Sequence, residues 1–290
     1  MAALTPSNMP GIYVTAVLTT TVAVGMFGAL IHYLRLPAKE RFLWLAAILA
    51  LPLQPLAFYY VRVPLDHWLM VHLGAKSAAY TWLVTCYAPL TEEPAKLLVL
   101  LIPAIRRDIR RENFVRYALA IGVGFAIGEM WFLANRLAQN PAWAAVPFYQ
   151  FGGYFGERLM VCVFHSAFLA VTLWRFRRLF VFGVMGAMAL HWLGNFPISL
   201  MNWNVIGLGH AIWSSLVEGW LTFYFLAAIV LLYYLGRGLA VPGKVFYGRR
   251  NCPECDSEYA APLLGLNFGR TRYERCPHCK HWHWTKQHAA

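Results

Sequence analysis

Seven long apolar runs, separated by short basic segments, constrain this chain more than any other feature of its sequence. A bilayer core of about 30 Å takes about 20 apolar residues per helix. Runs of that length cover residues 11–34, 42–61, 77–104, 117–136, 155–174, 179–200 and 212–235. Of the 290 residues, 59% are hydrophobic and 13% charged, a balance too apolar for an ordinary soluble domain. The expected fold class is therefore an all-α polytopic membrane protein with about seven transmembrane helices, over residues 1–236. A basic linker over 237–250 and a small module over 251–290 follow. The first ten residues carry no Lys or Arg, so the first run lacks the basic leader of a cleavable signal and reads as a retained span.

The net charge of +12 does not point to nucleic acid, because its cations are grouped between the apolar runs. Of the 25 Lys and Arg residues, twenty fall after the first, third, fifth and seventh runs, among them Arg35, Lys39, Arg106, Arg110, Arg177 and Arg178. Arg62, Lys76, Arg136 and Arg158 fall in the alternate segments, and Lys96 lies inside the third run. Since cytoplasmic loops hold the excess of Lys and Arg, the N-terminus is expected outside and the C-terminus in the cytoplasm. Gly124 and Gly128 form a small-xxx-small pair on the fourth run, a pattern that lets a neighbouring helix approach closely.

Ionisable side chains at mid-membrane depth are costly and usually face a partner, a cavity or a site. Four runs bring such groups to one layer: Glu92 and Glu93 on the third, Glu129 on the fourth, His165 on the fifth and His191 on the sixth. Spacing of three or four residues lets Lys96 pair with either glutamate and puts Asn195 on the face of His191. Pro94 is expected to distort the helix beside the glutamates. Two adjacent carboxylates in low dielectric cannot both ionise cheaply unless a cation or metal compensates, and a carboxylate so poised suits a general base. Glu218 and His210 sit nearer the outer boundary and read as structural.

Taken in order, TEEPAK (Thr91 to Lys96), FAIGE (Phe125 to Glu129), HSAF (from His165) and HWLGN (His191 to Asn195) resemble the EExxK, FxxxE, His and HxxxN signatures of the PrsW family. These intramembrane proteases are related to the CAAX prenyl proteases and bacteriocin-processing proteins. The resemblance covers roughly residues 80–200. It implies a bacterial plasma-membrane peptidase that cuts a membrane-anchored protein substrate, with Glu92 or Glu93 activating water and His165, His191 and Asn195 assisting. The CAAX relatives carry a histidine where this chain has Glu129, which favours the PrsW branch. Glu129, His165 and His191 could supply three ligands to an active-site zinc, or position water without metal. A proton- or ion-coupled carrier also uses buried Glu and His, and a catalytically silent receptor or scaffold would keep the same layer for stability alone.

In the tail, Cys252-Pro-Glu-Cys255 and Cys276-Pro-His-Cys279 are two CxxC knuckles, the spacing of a zinc ribbon. Four thiolates close the coordination sphere, so this zinc is expected to be structural, folding a segment too small to make a core alone. His278, His281 and His283 are expected at the surface, and Arg249, Arg250, Arg270, Arg272 and Arg275 to face phosphates or anionic headgroups. The partners expected are thus the lipid bilayer, a membrane-anchored substrate and a cytoplasmic protein that docks on the ribbon.

Overall fold

The computed structural model describes residues 10–33, 38–175, 179–203, 207, 210–237, 249–262, 265–268 and 271–286. Arg35, Arg177, Arg178, Arg270 and most of the linker lie outside them. Among the described residues, twelve α-helices run in the order α1 (Gly11–Tyr33), α2 (Glu40–Ala50), α3 (Leu53–Ala57), α4 (Val63–Leu73), α5 (Ala78–Val84), α6 (Tyr87–Lys96), α7 (Pro103–Asp108), α8 (Phe114–Ala138), α9 (Pro141–Ala144), α10 (Gly152–Trp174), α11 (Phe180–Trp203) and α12 (His210–Arg237). Among the described residues, six stretches are long and apolar enough to cross a membrane: Gly11–Leu30, Glu40–Leu73, Phe114–Ala138, Phe148–Trp174, Phe180–Trp203 and Ala211–Gly236. This is the build of an integral membrane protein.

Two stretches depart from the expected helices. Residues 40–73 form one continuous rod rather than a span ending near 61, with a π-helical turn at Phe58–Arg62 between α3 and α4. Pro64 follows that turn and has no N–H for the carbonyl of Tyr60, which helps to explain the widening there. The expected third helix, 77–104, is broken into α5, α6, a 3₁₀ segment at Leu97–Leu101 and α7. Pro94 sits inside α6, but the helix stays α-helical past the glutamates and tightens only after Lys96. The ends of this broken segment meet the two ends of the 40–73 rod. Tyr80 Oη donates to Asp66 at 2.7 Å, and the backbone N–H of Lys39 donates to Asp108 at 3.3 Å.

Helix α8 is the centre, packed against α1, α2, α3 and α10. Its most apolar window is 83% buried, against 17% for the last helix, because small residues on several faces let neighbours close in. A Cβ on Gly124 would lie 2.1 Å from the Ala47 carbonyl oxygen, and one on Gly128 would lie 1.8 Å from that of Leu51. The small-xxx-small pair therefore seats α2. Gly122 does the same for α10, where a Cβ would meet the Ser166 amide at 2.5 Å.

The C-terminal module has an antiparallel hairpin, β1 (Arg249–Asn251) with β2 (Glu258–Ala260), and a three-stranded sheet, β3 (Gly265–Phe268), β4 (Thr271–Arg275) and β5 (Trp282–Lys286), in the order β3-β4-β5. Each CxxC knuckle follows or precedes a strand in the same way. Asp256 N–H bonds to Cys252 O at 2.9 Å and Lys280 N–H to Cys276 O at 3.0 Å, with both residues at positive φ (54° and 64°).

Gly128→Leu is expected to destabilise the protein by at least about 1–3 kcal/mol, the usual overpacking cost, whereas Gly25→Ala, whose Cβ meets nothing within 4 Å, should be neutral. Thermal unfolding in detergent, followed by circular dichroism, compares the two.

Candidate functional site

The four motif segments converge. Glu92 and Glu93 on α6, Glu129 on α8, His165 on α10 and His191 on α11 surround one polar centre, and all but Glu129 are buried. A cavity of about 290 Å³ opens beside it, lined by Glu92, Glu129, His165, His191 and Asn195. Glu93 is not part of the cavity wall. It lies behind His191, accepting from the ring Nδ1 at 2.6 Å and from Lys96 Nζ at 2.6 Å.

Each of the three carboxylates has its own cation. Arg62 Nη2 donates to Glu92 Oε1 at 2.5 Å, Lys96 to Glu93, and Arg158 Nη1 to Glu129 Oε1 at 2.9 Å. Arg158 also pairs with Glu157. The compensation expected of one shared cation or metal is thus supplied separately to the two neighbouring glutamates, and of the two pairings open to Lys96 the fold selects Glu93. Arg62 and Arg158, counted in the sequence as loop charges, are site residues. The signal that could have found Arg62 is the Pro-flanked stretch around it, which here becomes the π turn. For Arg158 it is a position about two helical turns from His165, on the same face.

The histidines are oriented by carboxylates. Glu129 Oε2 lies 2.8 Å from His165 Nε2, and Glu93 Oε1 holds His191 Nδ1. With ionised acceptors those nitrogens carry the protons, and the tautomers follow from the partners. The remaining nitrogens keep lone pairs. His191 Nε2 is 3.8 Å from Glu92 Oε2, and His165 Nδ1 is buried with no hydrogen-bond partner among the described residues.

The metal-ligand set anticipated from sequence needs correction. The residues that each offer one ligand atom within 4.8 Å of the others are Glu92, His165 and His191. Glu129 is occupied by Arg158 and His165, so it orients a histidine rather than joining the group. Two histidines, each hydrogen-bonded to a carboxylate, with a third carboxylate beside them, have the donor chemistry of a metal site.

The phenylalanines of the motifs have work in this geometry. Phe168 stacks on His191 with centroids 5.2 Å apart, Phe125 meets His165 edge-on at 4.9 Å, and both rings lie under the Lys96 ammonium at 5.7 and 5.2 Å. Helix α12 supports the HxxxN segment from behind: Tyr224 Oη donates to Leu190 O at 2.6 Å and Trp220 Nε1 to Gly194 O at 3.3 Å. Glu218 is exposed, and the side chain of His210 lies outside the described residues.

The tail holds a second cluster. The four sulfurs of Cys252, Cys255, Cys276 and Cys279 lie within 4.8 Å of one another, with Cys252–Cys279 at 3.6 Å and Cys255–Cys276 at 3.9 Å. A tetrahedral ion with metal–sulfur bonds of about 2.3 Å needs sulfur–sulfur edges of about 3.8 Å, so these residues fit a bound metal. Contrary to expectation, His283 is buried, with Nε2 2.8 Å from Tyr259 Oη and Nδ1 3.9 Å from Cys252 Sγ. Arg250 and Arg272 are buried too, paired with Glu274 at 3.4 and 2.8 Å, and do not face a ligand. Burial and the hydrogen bond to Glu274 raise the Tyr259 phenol above its ordinary value, so it stays protonated and donates.

Comparison with protein-family models, curated proteins and solved structures gives no match.

Removing one partner of a buried pair costs about 3–5 kcal/mol. Arg158→Met should lower the unfolding midpoint strongly, and adding Glu129→Gln should restore part of the loss, because the stranded charge is then gone. A double-mutant cycle by thermal denaturation reads both.

Proposed function

We propose that this protein is an intramembrane peptidase of the PrsW type, acting on a membrane-anchored protein. One observation carries the reading: Glu92, His165 and His191 each offer a ligand atom within 4.8 Å of the others beside a cavity, and each histidine is hydrogen-bonded to a carboxylate of its own. An order of motifs like that of the PrsW signatures supports it.

Glu92, on the cavity wall, is the base and Glu93 the positioning residue. Water in the cavity donates one hydrogen bond to Glu92 and another to a histidine lone pair. Glu92 takes its proton as the oxygen attacks the substrate carbonyl carbon. Asn195, one turn from His191 and on the same wall, donates to the developing oxyanion. Glu92 then passes the proton to the leaving amide nitrogen, and the C–N bond breaks. Arg62 holds the carboxylate in place.

Zinc is the metal we assign to the four-cysteine cluster, where its role is structural and the module is a zinc ribbon. Glu92, His165 and His191 also fit a second zinc, which would acidify bound water and polarise the carbonyl; Glu92 would then be a ligand and not the base.

We also infer a seventh, broken crossing over residues 78–108. It runs from the Asp66 end of the 40–73 rod back to the Lys39 end, positions about 40 Å apart along a helix of that length. At the break between α5 and α6, Thr85 is buried and its hydroxyl accepts from Trp192 Nε1 at 3.0 Å, which gives the irregular stretch a polar partner within the protein. With that crossing, alternate basic segments fall on one side, which gives an external N-terminus and a cytoplasmic tail.

Glu92→Gln and His191→Ala should reduce cleavage of a candidate single-span substrate by at least about a hundredfold while the protein still inserts and unfolds cooperatively. Retained cleavage overturns the peptidase, and ion or proton flux lost in the same variants assigns a carrier instead.

Elemental analysis of the purified protein separates the two forms of the reaction: truncation near residue 245 should remove one equivalent of zinc, a further equivalent lost with His165→Ala assigns the metal form, and none left after truncation assigns the metal-free one.

A further inference from the structure

Strand alternation gives the tail sheet an inverted character. Its inner side is polar: Arg272, Glu274, His283 and Thr285 are buried and bonded to one another or to Arg250 and Tyr259. Its outer side is apolar. Leu266, Tyr273 and Trp284 stand opposite one another across β3, β4 and β5, and Trp282 stands opposite Arg275. Leu266 is 61% exposed, Trp282 51% and Trp284 55%, with Tyr273 between the two indoles at centroid distances of 5.4 and 5.1 Å.

A soluble module gains nothing by itself from holding two indoles and a leucine in water on one flat face. Indole and phenol rings with a polar edge prefer the headgroup layer of a bilayer, where the ring is desolvated and the N–H stays wet. Two further facts favour that occupant. Only residues 238–248 separate the module from α12, so its tether is at most roughly 40 Å long and keeps it beside the membrane. Exposed Arg275 and Lys280 edge the same end of the sheet, which suits anionic headgroups. Single-stranded nucleic acid, the other usual client of aromatic faces, would want more cations, and here Arg250 and Arg272 are consumed inside by Glu274.

We propose that the outer face of the β3-β4-β5 sheet, formed by Leu266, Tyr273, Trp282 and Trp284, docks on the anionic headgroup layer of the membrane that the chain itself crosses. This surface is independent of the peptidase reading.

The test uses the full-length protein in nanodiscs of anionic and zwitterionic lipid, with bromine on the acyl chains near the headgroup as a contact quencher. The signal is the tryptophan emission of the wild type minus that of Trp282→Phe/Trp284→Phe, which isolates the two indoles. Unchanged zinc content confirms that the module is folded. In anionic discs the difference emission should fall by about half or more on bromination, less in zwitterionic discs, and Leu266→Asp should weaken the quenching. Difference emission that is indifferent to bromination overturns the proposal. So does quenching by added oligodeoxythymidylate but not by brominated lipid, which would assign the face to nucleic acid.

Discussion

Charge neutralisation in a low-dielectric interior is the constraint on which the centre of this protein depends. Three carboxylates lie at the centre of the helix packing, where an isolated ion would cost several kcal/mol. Each is met by a cation from another part of the chain or one helical turn away: Arg62 for Glu92, Lys96 for Glu93 and Arg158 for Glu129. Because the partners come from the π turn, α6 and α10, the pairs also fix how those elements sit around α8. The geometry of the histidines follows, since their orienting acceptors are the same carboxylates.

The backbone around this centre is irregular where it has to be. A regular helix through 77–104 would carry both glutamates and Lys96 but could not also turn at Thr85 and Cys86 to receive Trp192, nor tighten after Lys96. The π turn at Phe58–Arg62 likewise offsets Arg62 from where a uniform α-helix would aim it. Both irregular stretches pack against α6 or α11 on one side, and Arg62 and Thr85 meet partners there. The tail solves a different problem in a related way. With few apolar residues to bury, it centres a polar network on Glu274 and brings the four sulfurs of the two knuckles within 4.8 Å of one another.

Much of the candidate site was legible in the sequence. Buried acids and imidazoles stand out in apolar runs because few residues of that kind are tolerated there, and their depth is set by counting along a helix. Glu92, Glu93, Glu129, His165 and His191 were found this way and do meet. The cations were harder to find. Arg62 and Arg158 lie near the ends of apolar runs, where arginine ordinarily reaches water, and only the folded positions of the π turn and α10 bring them inward. The same limit applied in the tail, where Arg250, Arg272 and His283 looked like surface residues because strand alternation was not yet anchored to a face.

The sequence by itself determined the apolar helices, the glycine seam on α8, the layer of ionisable groups and the two CxxC knuckles, since each depends on composition or on spacing within one segment. Tertiary structure alone decided which acid pairs with which cation, that Glu92 rather than Glu129 joins the two histidines, that the third run breaks, and which side of the tail sheet faces out. Those outcomes depend on distances between segments far apart in the chain, and no local periodicity encodes them.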